Sequence, residues 1–280
     1  MSVCRKTSTK MIDPRLLQVV GDFLCPYLHA ECPALIGIAG SQGSGKSTLA
    51  QYLAATFGGV SLSLDDVYLT KAERKTLGRT VHPLFETRGP PLTHDLGLLD
   101  QVLEALKRAG PDSRTPLPSF DKLADDRRPQ NQWPVYIGKP SLIILEGWCL
   151  GAEPEPQERL AIAVNAMERE HDPDGVWRGA INAALSADYA RLRSRLDALI
   201  YLRAPSFERV LDWRCQQEAG LLGVDVVDAQ RRQALAAFIA RFERLTRWMM
   251  QGGLTTSLEI QLDDSRQLVA TTRERPIFET

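Results

Sequence analysis

Short, mainly apolar runs recur along the chain, and stretches with the spacing of amphipathic helices stand between them. Runs of this kind, bounded by glycine, proline or charged residues, are typical of strands buried in a parallel sheet. The pattern predicts strands at residues 34–39, 60–64, 141–145, 198–202 and 258–262. Alternating strands and helices predict an α/β fold with a mainly parallel sheet between two helical layers, and ligands at the carboxyl ends of the strands.

Amphipathic spacing places helices between and beyond these strands. The first helix follows Asp13 and Pro14, which fit an N-cap and a first helical position, and either Thr93 or Asp95 fits the cap of a helix that ends near residue 109. The other predicted helices occupy residues 46–57, 158–168, 176–193, 206–219 and 225–250. We therefore expect an N-terminal helical extension at residues 1–33 and one main domain at residues 34–280.

Two segments interrupt this alternation. Proline and glycine are dense at residues 76–91, and residues 111–140 contain six prolines. Such residues favour irregular backbone, and long ordered loops often hold substrates. We expect ligand-binding insertions at about residues 76–140.

Composition excludes several classes of protein. The 34 Lys and Arg residues nearly balance 35 Asp and Glu residues, and no block of like charges is present, so no nucleic-acid partner is expected. No apolar stretch approaches the roughly 18 residues that a membrane span needs. The five cysteines are odd in number and lack C-x-x-C spacing, which favours reduced thiols. We expect a cytoplasmic protein without a membrane partner.

Residues 40–47 match the pattern G-x-x-x-x-G-K-S/T in full, directly after a predicted strand and before a predicted helix. Glycines let main-chain N–H groups surround phosphates, Lys46 reaches the β- and γ-phosphates, and Ser47 binds Mg²⁺. The alternative is a Gly/Ser-rich turn that matches by chance. The motif predicts binding of ATP, or of GTP, with Mg²⁺ at Gly40, Ser41, Gln42, Gly43, Ser44, Gly45, Lys46, Ser47 and Thr48.

Three acidic residues stand at predicted strand ends. Asp65 and Asp66 follow the second strand, and a carboxylate there can accept the proton of an attacking hydroxyl while Lys46 neutralises charge. We predict Asp65 as the catalytic base, and the alternative is that either aspartate caps a helix or starts a turn. Glu146 ends the third strand and, with Ser47 and Asp65, forms the predicted magnesium site; Asp66 is an alternative member of the magnesium shell.

Four further segments carry a family resemblance, namely residues 63–70, 88–95, 118–122 and 145–151. They include the strings R-G-x-x-x-T-H-D and E-G-W-x-L-G, and together they resemble the ATP-dependent D-glycerate 3-kinase family. That family belongs to the P-loop kinases of small metabolites, with uridine kinase, phosphoribulokinase and pantothenate kinase. The resemblance implies a P-loop NTPase three-layer fold, a helical lid and phosphorylation of glycerate at its 3-hydroxyl, with Asp65 as the catalytic aspartate.

A small hydroxy acid needs cationic and hydrogen-bonding partners for its carboxylate, and the irregular segments supply them. For each cation the alternative is a surface charge or a salt bridge that fixes a loop. For His94 a structural role at a helix start is as consistent with the sequence as substrate binding, and for Asp121 a role in a turn is as consistent as substrate binding. The predicted substrate residues are Asp66, Tyr68, Arg88, His94, Asp121, Lys122 and Arg127.

The helix that begins near Ser206 carries Arg209 and Arg214. In the kinases that the chain resembles, this region is a lid whose arginines approach the ATP phosphates, which implies a lid at about residues 203–225. We predict Arg214 as a catalytic residue of the lid. For Arg203 and Arg209 the alternative is that they solvate an amphipathic helix.

These observations predict an ATP-dependent kinase of a small hydroxy acid, and D-glycerate, converted to 3-phosphoglycerate, is the leading acceptor. One alternative is a P-loop kinase for another acceptor, such as a nucleoside, pantothenate or a sugar acid. Another is a regulatory switch that uses nucleotide hydrolysis to order a loop. The chain has no N-K-x-D string for reading guanine, which weakens the case for a GTPase.

Overall fold

A computed structural model of the protein describes residues 12–28 and 31–273, which form ten α-helices and ten strands. The helices are α1 Pro14–Leu24, α2 Lys46–Phe57, α3 Lys71–Thr80, α4 Leu96–Lys107, α5 Gln157–Leu160, α6 Ala166–His171, α7 Val176–Ser186, α8 Asp188–Ser194, α9 Phe207–Leu222 and α10 Ala229–Met250. The strands are β1 Ala34–Gly40, β2 Val60–Ser63, β3 Arg114–Pro116, β4 Phe120–Asp121, β5 Asp126–Arg127, β6 Val135–Ile137, β7 Leu142–Gly147, β8 Ala198–Arg203, β9 Leu258–Leu262 and β10 Leu268–Arg273.

The main sheet has the strand order β10-β9-β8-β1-β7-β2. All neighbouring strands from β9 to β2 run parallel, and β10 is an antiparallel edge strand. The register places Ile38 beside Glu146 and Ser63 beside the same glutamate. The carboxyl ends of β1, β7 and β2 therefore meet at one edge, and the predicted α/β fold with a mainly parallel sheet is confirmed.

Helices cover both faces of this sheet. In β1, Leu35 and Ala39 point into one apolar cluster with α4, α7 and α8, whereas Ile36 and Ile38 point into a second cluster with α1, α2 and α9. Both sides of the strand are thus buried, which explains why its sequence is continuously apolar. The three layers match the expected architecture.

The N-terminal helix α1 packs into the second cluster through Leu16, Val20 and Leu24. Asp13 caps it, since its carboxylate accepts a hydrogen bond from the main-chain N–H of Arg15. The same carboxylate accepts the N–H of Leu268 at 2.9 Å, which ties α1 to β10. The remainder of the predicted extension, residues 1–11 and 29–30, lies outside the described residues.

The structure differs from the predicted elements in the irregular segments. Helix α3 was not predicted, because its sequence KAERKTLGRT has no apolar stripe, although Thr70 and Glu73 form a capping box at its start. Asp95, and not Thr93, caps α4. Residues 111–140 contain two small antiparallel pairs, β3–β6 and β4–β5. The helix predicted over 176–193 is interrupted at Ala187, and that over 158–168 is divided into α5 and α6.

Two further expectations concern the chain as a whole. Cys25, Cys32, Cys149 and Cys215 are free thiols, and Cys4 lies outside the described residues. Within residues 12–28 and 31–273, no helix has both the length and the apolarity that crossing a membrane requires.

Candidate active site

The loop between β1 and α2 folds as a phosphate-binding turn. Gly43 and Gly45 have φ angles of 78° and 96°, in the left-handed region that favours glycine. Gly43 is constrained twice, because a Cβ atom there would lie 2.6 Å from Cβ of Trp213 in α9. Lys46 begins α2, and its Nζ lies 3.4 Å from the carbonyl oxygen of Ser41. The turn thus presents main-chain N–H groups and an ammonium group together.

Two serine hydroxyls of this turn, Ser41 Oγ and Ser44 Oγ, are buried and have no hydrogen-bond partner among the described residues. Buried polar groups normally have partners, so these hydroxyls fit a loop that bonds a ligand. Gln42 Oε1 is likewise buried and has no hydrogen-bond partner among the described residues. Ser47 and Thr48 follow in the first turn of α2 and are exposed.

Glu146 joins the phosphate-binding turn to β2. It lies near the end of β7 and is only 6% exposed, and its Oε1 accepts hydrogen bonds from Ser47 Oγ and Ser63 Oγ, each at 2.8 Å. The described residues contain no cluster of three or more His, Cys, Asp or Glu side chains that could hold a metal. Mg²⁺ needs no such cluster, because it is held by one or two protein oxygens, substrate phosphates and water. Ser47 and Glu146 fit that ligand set.

Asp65 lies in a 3-10 turn, Leu64–Val67, that follows β2. Its Oδ1 accepts the hydroxyl of Tyr68 and its Oδ2 accepts Nζ of Lys122, both at 2.8 Å. Burial alone would raise the pKa of Asp65, but the charges of Lys122 and Lys46 and the two hydrogen bonds outweigh it and lower that pKa to about 2. Asp65 is therefore an ionised carboxylate held in one orientation.

Asp66 has different surroundings. Its Oδ1 accepts the main-chain N–H of Phe120 at 3.1 Å, which attaches the β4–β5 hairpin to the 3-10 turn. Burial, followed by the charges of Asp65 and Glu146, raises the pKa of Asp66 against the opposing bond from Phe120. The contact is structural, and a role of Asp66 in binding substrate or Mg²⁺ stays a prediction.

Aromatic rings line the site beside Asp65. Tyr68 stacks on His94 with ring centroids 4.6 Å apart and meets the edge of Phe120 at 5.3 Å. His94 Nδ1 is hydrogen-bonded to the hydroxyl of Tyr189, while its buried Nε2 has no partner among the described residues. Burial lowers the pKa of His94 to about 4, against the opposing charge of Asp65. His94 is therefore neutral at physiological pH.

The other predicted acceptor residues are engaged in ion pairs. Arg88 is paired with Asp125 and lies over the ring of Phe120, with 5.4 Å between the guanidinium carbon and the ring centroid. Arg127 donates to Asp95 at 2.8 Å. Asp121 accepts two main-chain N–H groups of its own turn and pairs with Arg128 at 2.7 Å. These contacts fix the loops, and roles of Arg88, Arg127 and Asp121 in binding stay predictions.

A buried arginine that the sequence analysis missed organises this region. Arg74 of α3 is fully buried and donates to the carbonyl oxygens of Leu69, Glu86 and Asp125. It also pairs with the carboxylate of Asp125 at 3.0 Å. Arg74 thereby joins α3 to both predicted insertions, and no local pattern distinguishes it from a surface arginine.

The predicted lid helix, α9, lies against the phosphate-binding turn through Trp213. Arg214 pairs with Glu218 at 2.7 Å, and its buried Nη1 has no partner within the described part of the chain. Arg209 pairs with Asp212 at 3.1 Å, and Arg203 pairs with Glu259 at 3.0 Å. A catalytic role for Arg214 stays a prediction.

Arg266 is a second residue that sequence reasoning missed. It lies in the β9–β10 turn with a φ of 64°, its Nε donates to the carbonyl oxygen of Gly43, and its guanidinium lies 4.8 Å from the ring centroid of Trp213. The indole N–H of Trp213 in turn donates to the carbonyl oxygen of Asp264 at 2.9 Å. The phosphate-binding turn is thus held between α9 and a hairpin from the far end of the chain.

No protein-family model matches the chain. Comparison with curated protein sequences does find relatives. The chain is 33% identical over 223 residues to an uncharacterized kinase of Schizosaccharomyces pombe, mug58, with 73% of this chain and 79% of that protein covered. It is 32% identical over 202 residues to the chloroplastic D-glycerate 3-kinase of Arabidopsis thaliana, covering 68% of this chain and 42% of the plant protein.

A solved structure agrees with these relatives. The D-glycerate 3-kinase of Cryptococcus neoformans var. grubii superposes with a TM-score of 0.73 at 25% identity, and the match covers 92% of this chain and 99% of that one. The relatives are kinases, and the phosphate-binding turn and the strand-end carboxylates are present here with the geometry described above. The chain belongs to the D-glycerate 3-kinase family of P-loop kinases.

Proposed function

We propose that the protein transfers the γ-phosphate of ATP to the 3-hydroxyl of D-glycerate and releases 3-phosphoglycerate and ADP. The observation that carries the proposal is the position of Asp65. This ionised carboxylate is held by hydrogen bonds from Tyr68 and Lys122, and it lies close enough to Lys46 that the lysine charge lowers its pKa. A hydroxyl that attacks a phosphate needs a carboxylate on its own side and positive charge on the phosphate side.

The phosphate side consists of residues 40–47 and Glu146. Main-chain N–H groups of the turn and Lys46 bind the phosphate oxygens and offset the charge that develops on them. Ser47 and Glu146 would hold Mg²⁺, which, when bound, neutralises negative charge on the transferring group. Because Ser63 of β2 also donates to Glu146, the carboxylate is oriented both from helix α2, through Ser47, and from strand β2.

On the acceptor side Asp65 orients the hydroxyl by accepting its hydrogen bond. A pKa of about 2 makes Asp65 a weak base toward a free alcohol. The proton therefore moves to Asp65 late, as the oxygen–phosphorus bond forms and the alcohol becomes strongly acidic, which is consistent with a loose transition state. Lys122 stabilises the carboxylate before transfer.

The acceptor's own carboxylate needs donors, and the loops beside Asp65 supply them. Arg88 and Arg127 carry positive charge there, although each already has an acidic partner. His94 Nε2 is buried, neutral and unpartnered within the described residues, so it is suited to a hydrogen bond with a ligand oxygen. Arg214 of α9 would add positive charge at the phosphates when the lid closes.

The test is ADP release by the purified protein with Mg-ATP and each of D-glycerate, L-glycerate, pantothenate, uridine and several sugar acids. We expect turnover with D-glycerate alone, and a product identified by mass and NMR as 3-phosphoglycerate. Turnover with a different acceptor would support kinase activity but would reject glycerate as the substrate. Slow hydrolysis that no metabolite stimulates would reject the proposal in favour of a nucleotide-dependent switch.

A further inference from the structure

A buried series of side-chain contacts runs from helix α8 to the proposed base, and it begins at Tyr189, which the sequence did not single out. Tyr189 is the second residue of α8 and is 5% exposed. Its hydroxyl is hydrogen-bonded to Nδ1 of His94, and the two rings meet edge to face with centroids 5.9 Å apart. His94 stacks on Tyr68, and Tyr68 donates to Asp65. Four residues from three separate segments are therefore in successive contact.

The main chain fixes where Tyr68 and His94 lie, but not how the imidazole is turned. Main-chain hydrogen bonds on either side, at 2.9 and 2.7 Å, hold the two residues in an antiparallel bridge. These bonds leave the side-chain torsions of His94 unconstrained. The bond with Tyr189 is the single side-chain hydrogen bond of His94 within residues 12–28 and 31–273. The polar contact that orients the imidazole therefore comes from Tyr189.

The direction of this hydrogen bond follows from the surroundings of Tyr189. Burial raises the pKa of Tyr189, so the phenol keeps its proton at neutral pH, and the main-chain N–H of Leu92 interacts with the same oxygen. If Tyr189 donates to Nδ1, the proton of the neutral imidazole lies on Nε2. If Nδ1 donates instead, the buried hydroxyl proton has no acceptor, which is costly. The first arrangement is therefore favoured.

The hydrogen bond from Tyr68 to Asp65 depends on where the Tyr68 ring is held. That ring is 4% exposed and lies between the imidazole of His94 at 4.6 Å and the edge of Phe120 at 5.3 Å. Rotation of the imidazole would remove one of these two neighbours and release the tyrosine hydroxyl from the carboxylate. Because Tyr68, together with two lysines, lowers the pKa of Asp65 against the effect of burial, its release would change both the orientation and the charge state of the carboxylate.

We propose that Tyr189 is a positioning residue for the catalytic base and acts through His94. Its hydroxyl holds the imidazole as the Nε2–H tautomer, and the imidazole holds Tyr68 where it donates to the carboxylate. This role rests on the proposed function, because it requires Asp65 to be the base. The alternative is a tyrosine and a histidine that only satisfy each other inside the core.

The test replaces Tyr189 by phenylalanine, which removes one oxygen atom and keeps the ring. We expect Tyr189→Phe to lower kcat by about 10- to 100-fold, the effect of a displaced catalytic group, and to change the KM values by less than about twofold. The acid limb of kcat/KM should move to higher pH, because weaker donation from Tyr68 raises the pKa of Asp65. Tyr201→Phe is the matched control and should behave as the wild type, since Tyr201 is buried and makes no side-chain hydrogen bond within the described residues.

A double variant distinguishes positioning from a loss of folding. His94→Phe keeps an aromatic ring beside Tyr68 but leaves the hydroxyl of Tyr189 buried without an acceptor, whereas His94→Phe combined with Tyr189→Phe removes both polar partners. Because the two residues act through one contact, we expect the double variant to have a kcat no lower than that of His94→Phe alone. Losses in kcat that multiply would contradict a shared role.

Heteronuclear NMR tests the contact without turnover. With isotope-labelled histidine, and His94→Gln to assign the signal, we expect His94 of the wild type to be the Nε2–H tautomer at neutral pH and that of Tyr189→Phe to be a mixture of both tautomers. If D-glycerate is not phosphorylated but another acceptor is, the proposed function fails, and the kinetic comparison with that acceptor still decides the role of Tyr189. If no acceptor is phosphorylated, both proposals fail.

The proposal is overturned by any of three results obtained with an active wild type. One is a kcat of Tyr189→Phe equal to that of the wild type. Another is an Nδ1–H tautomer in the wild type, or the same His94 signal in both proteins. The third is a loss of kcat in Tyr201→Phe as large as that in Tyr189→Phe, which would make the effect a general one of removing a buried hydroxyl.

Discussion

Lys122 Nζ lies 2.8 Å from Oδ2 of Asp65, so a lysine of the β4–β5 turn sits on the carboxylate that we propose as the base. This contact is one of the two main reasons, with the hydroxyl of Tyr68, that the carboxylate has a fixed orientation. It also helps to hold the pKa of Asp65 at about 2 against burial. The electrostatics of the base are thus controlled from an insertion 57 residues away along the chain.

Replacement of Lys122 by methionine should change the pH dependence of catalysis. Without the neighbouring cation, burial dominates and raises the pKa of Asp65, so the acid limb of kcat/KM moves to higher pH and enters the range of about pH 4 to 6. The measurement is a pH–rate profile of both proteins. Arg128→Met is the control, because Arg128 pairs with Asp121 of the same hairpin. An unchanged acid limb would contradict the coupling.

Substitution of Asp65 by asparagine should lower kcat by roughly 10²- to 10⁴-fold, the range for loss of a general base, with little change in the KM for ATP. Asp66→Asn is the comparison, because its amide oxygen can still accept the N–H of Phe120. We expect it to lower kcat by less than about tenfold. Equal losses in the two variants would show that Asp65 has no special role.

The magnesium requirement tests Glu146. Replacement by glutamine keeps an oxygen for Ser47 and Ser63 but removes the charge, so the Mg²⁺ concentration for half-maximal activity should rise by about 10- to 100-fold. The measurement is a Mg²⁺ titration at fixed ATP. Glu158→Gln, at an exposed position, serves as the control. Superimposable titrations of wild type and Glu146→Gln would show that Glu146 does not contribute to Mg²⁺ binding.

Substitution of Arg266 should raise the KM for ATP and leave the KM for the acceptor unchanged. Loss of its bond to Gly43 loosens the phosphate-binding turn, and we expect Arg266→Ala to raise the KM for ATP by roughly tenfold, the equivalent of one charge-assisted hydrogen bond. Arg266→Lys should not restore it, because lysine has no planar group to stack on Trp213. Arg273→Ala is the control, because Arg273 belongs to the same hairpin but packs on Phe23 and not on the phosphate-binding turn, so the KM for ATP should not change. A parallel rise in the KM for the acceptor would indicate a general loss of structure.

His94 makes stability depend on pH. Its pKa of about 4 in the folded state lies below its ordinary value of 6.5, so the unfolded chain binds more protons between these values. The stability contributed by the neutral imidazole is complete above pH 6.5 and is lost as the pH falls toward 4. A shift of this size corresponds to about 3 kcal/mol.

Urea unfolding at pH 7 and pH 4.5 tests this effect. We expect the free energy of unfolding of the wild type to fall by about 2 to 3 kcal/mol more than that of His94→Gln, which has no titrating group there. His171→Gln, at an exposed position, should behave as the wild type. The same decrease in all three proteins would mean that His94 is not the group responsible.

Much of the fold follows from local patterns. The strands of the parallel sheet carry continuous apolar runs because they are buried on both faces, and a G-x-x-x-x-G-K-S string between a strand and a helix depends only on neighbouring residues. Helix α3 escaped prediction because its one buried side chain of substantial size, Arg74, is charged. The interruption at Ala187, whose φ and ψ are −110° and −95°, also escaped prediction, since the apolar spacing continues across it.

The phosphate-binding turn, the parallel sheet and the acidic residues at strand ends were predictable from the amino-acid sequence alone, because these features depend on contacts within a few residues and on strand periodicity. Which distant side chains meet these elements depends on the three-dimensional arrangement, as with Lys122 on Asp65, Arg266 on Gly43 and Arg74 on Asp125. Those contacts depend on strand order and on how loops cross the edge of the sheet, and no local spacing encodes the distance between residues that are far apart in the chain.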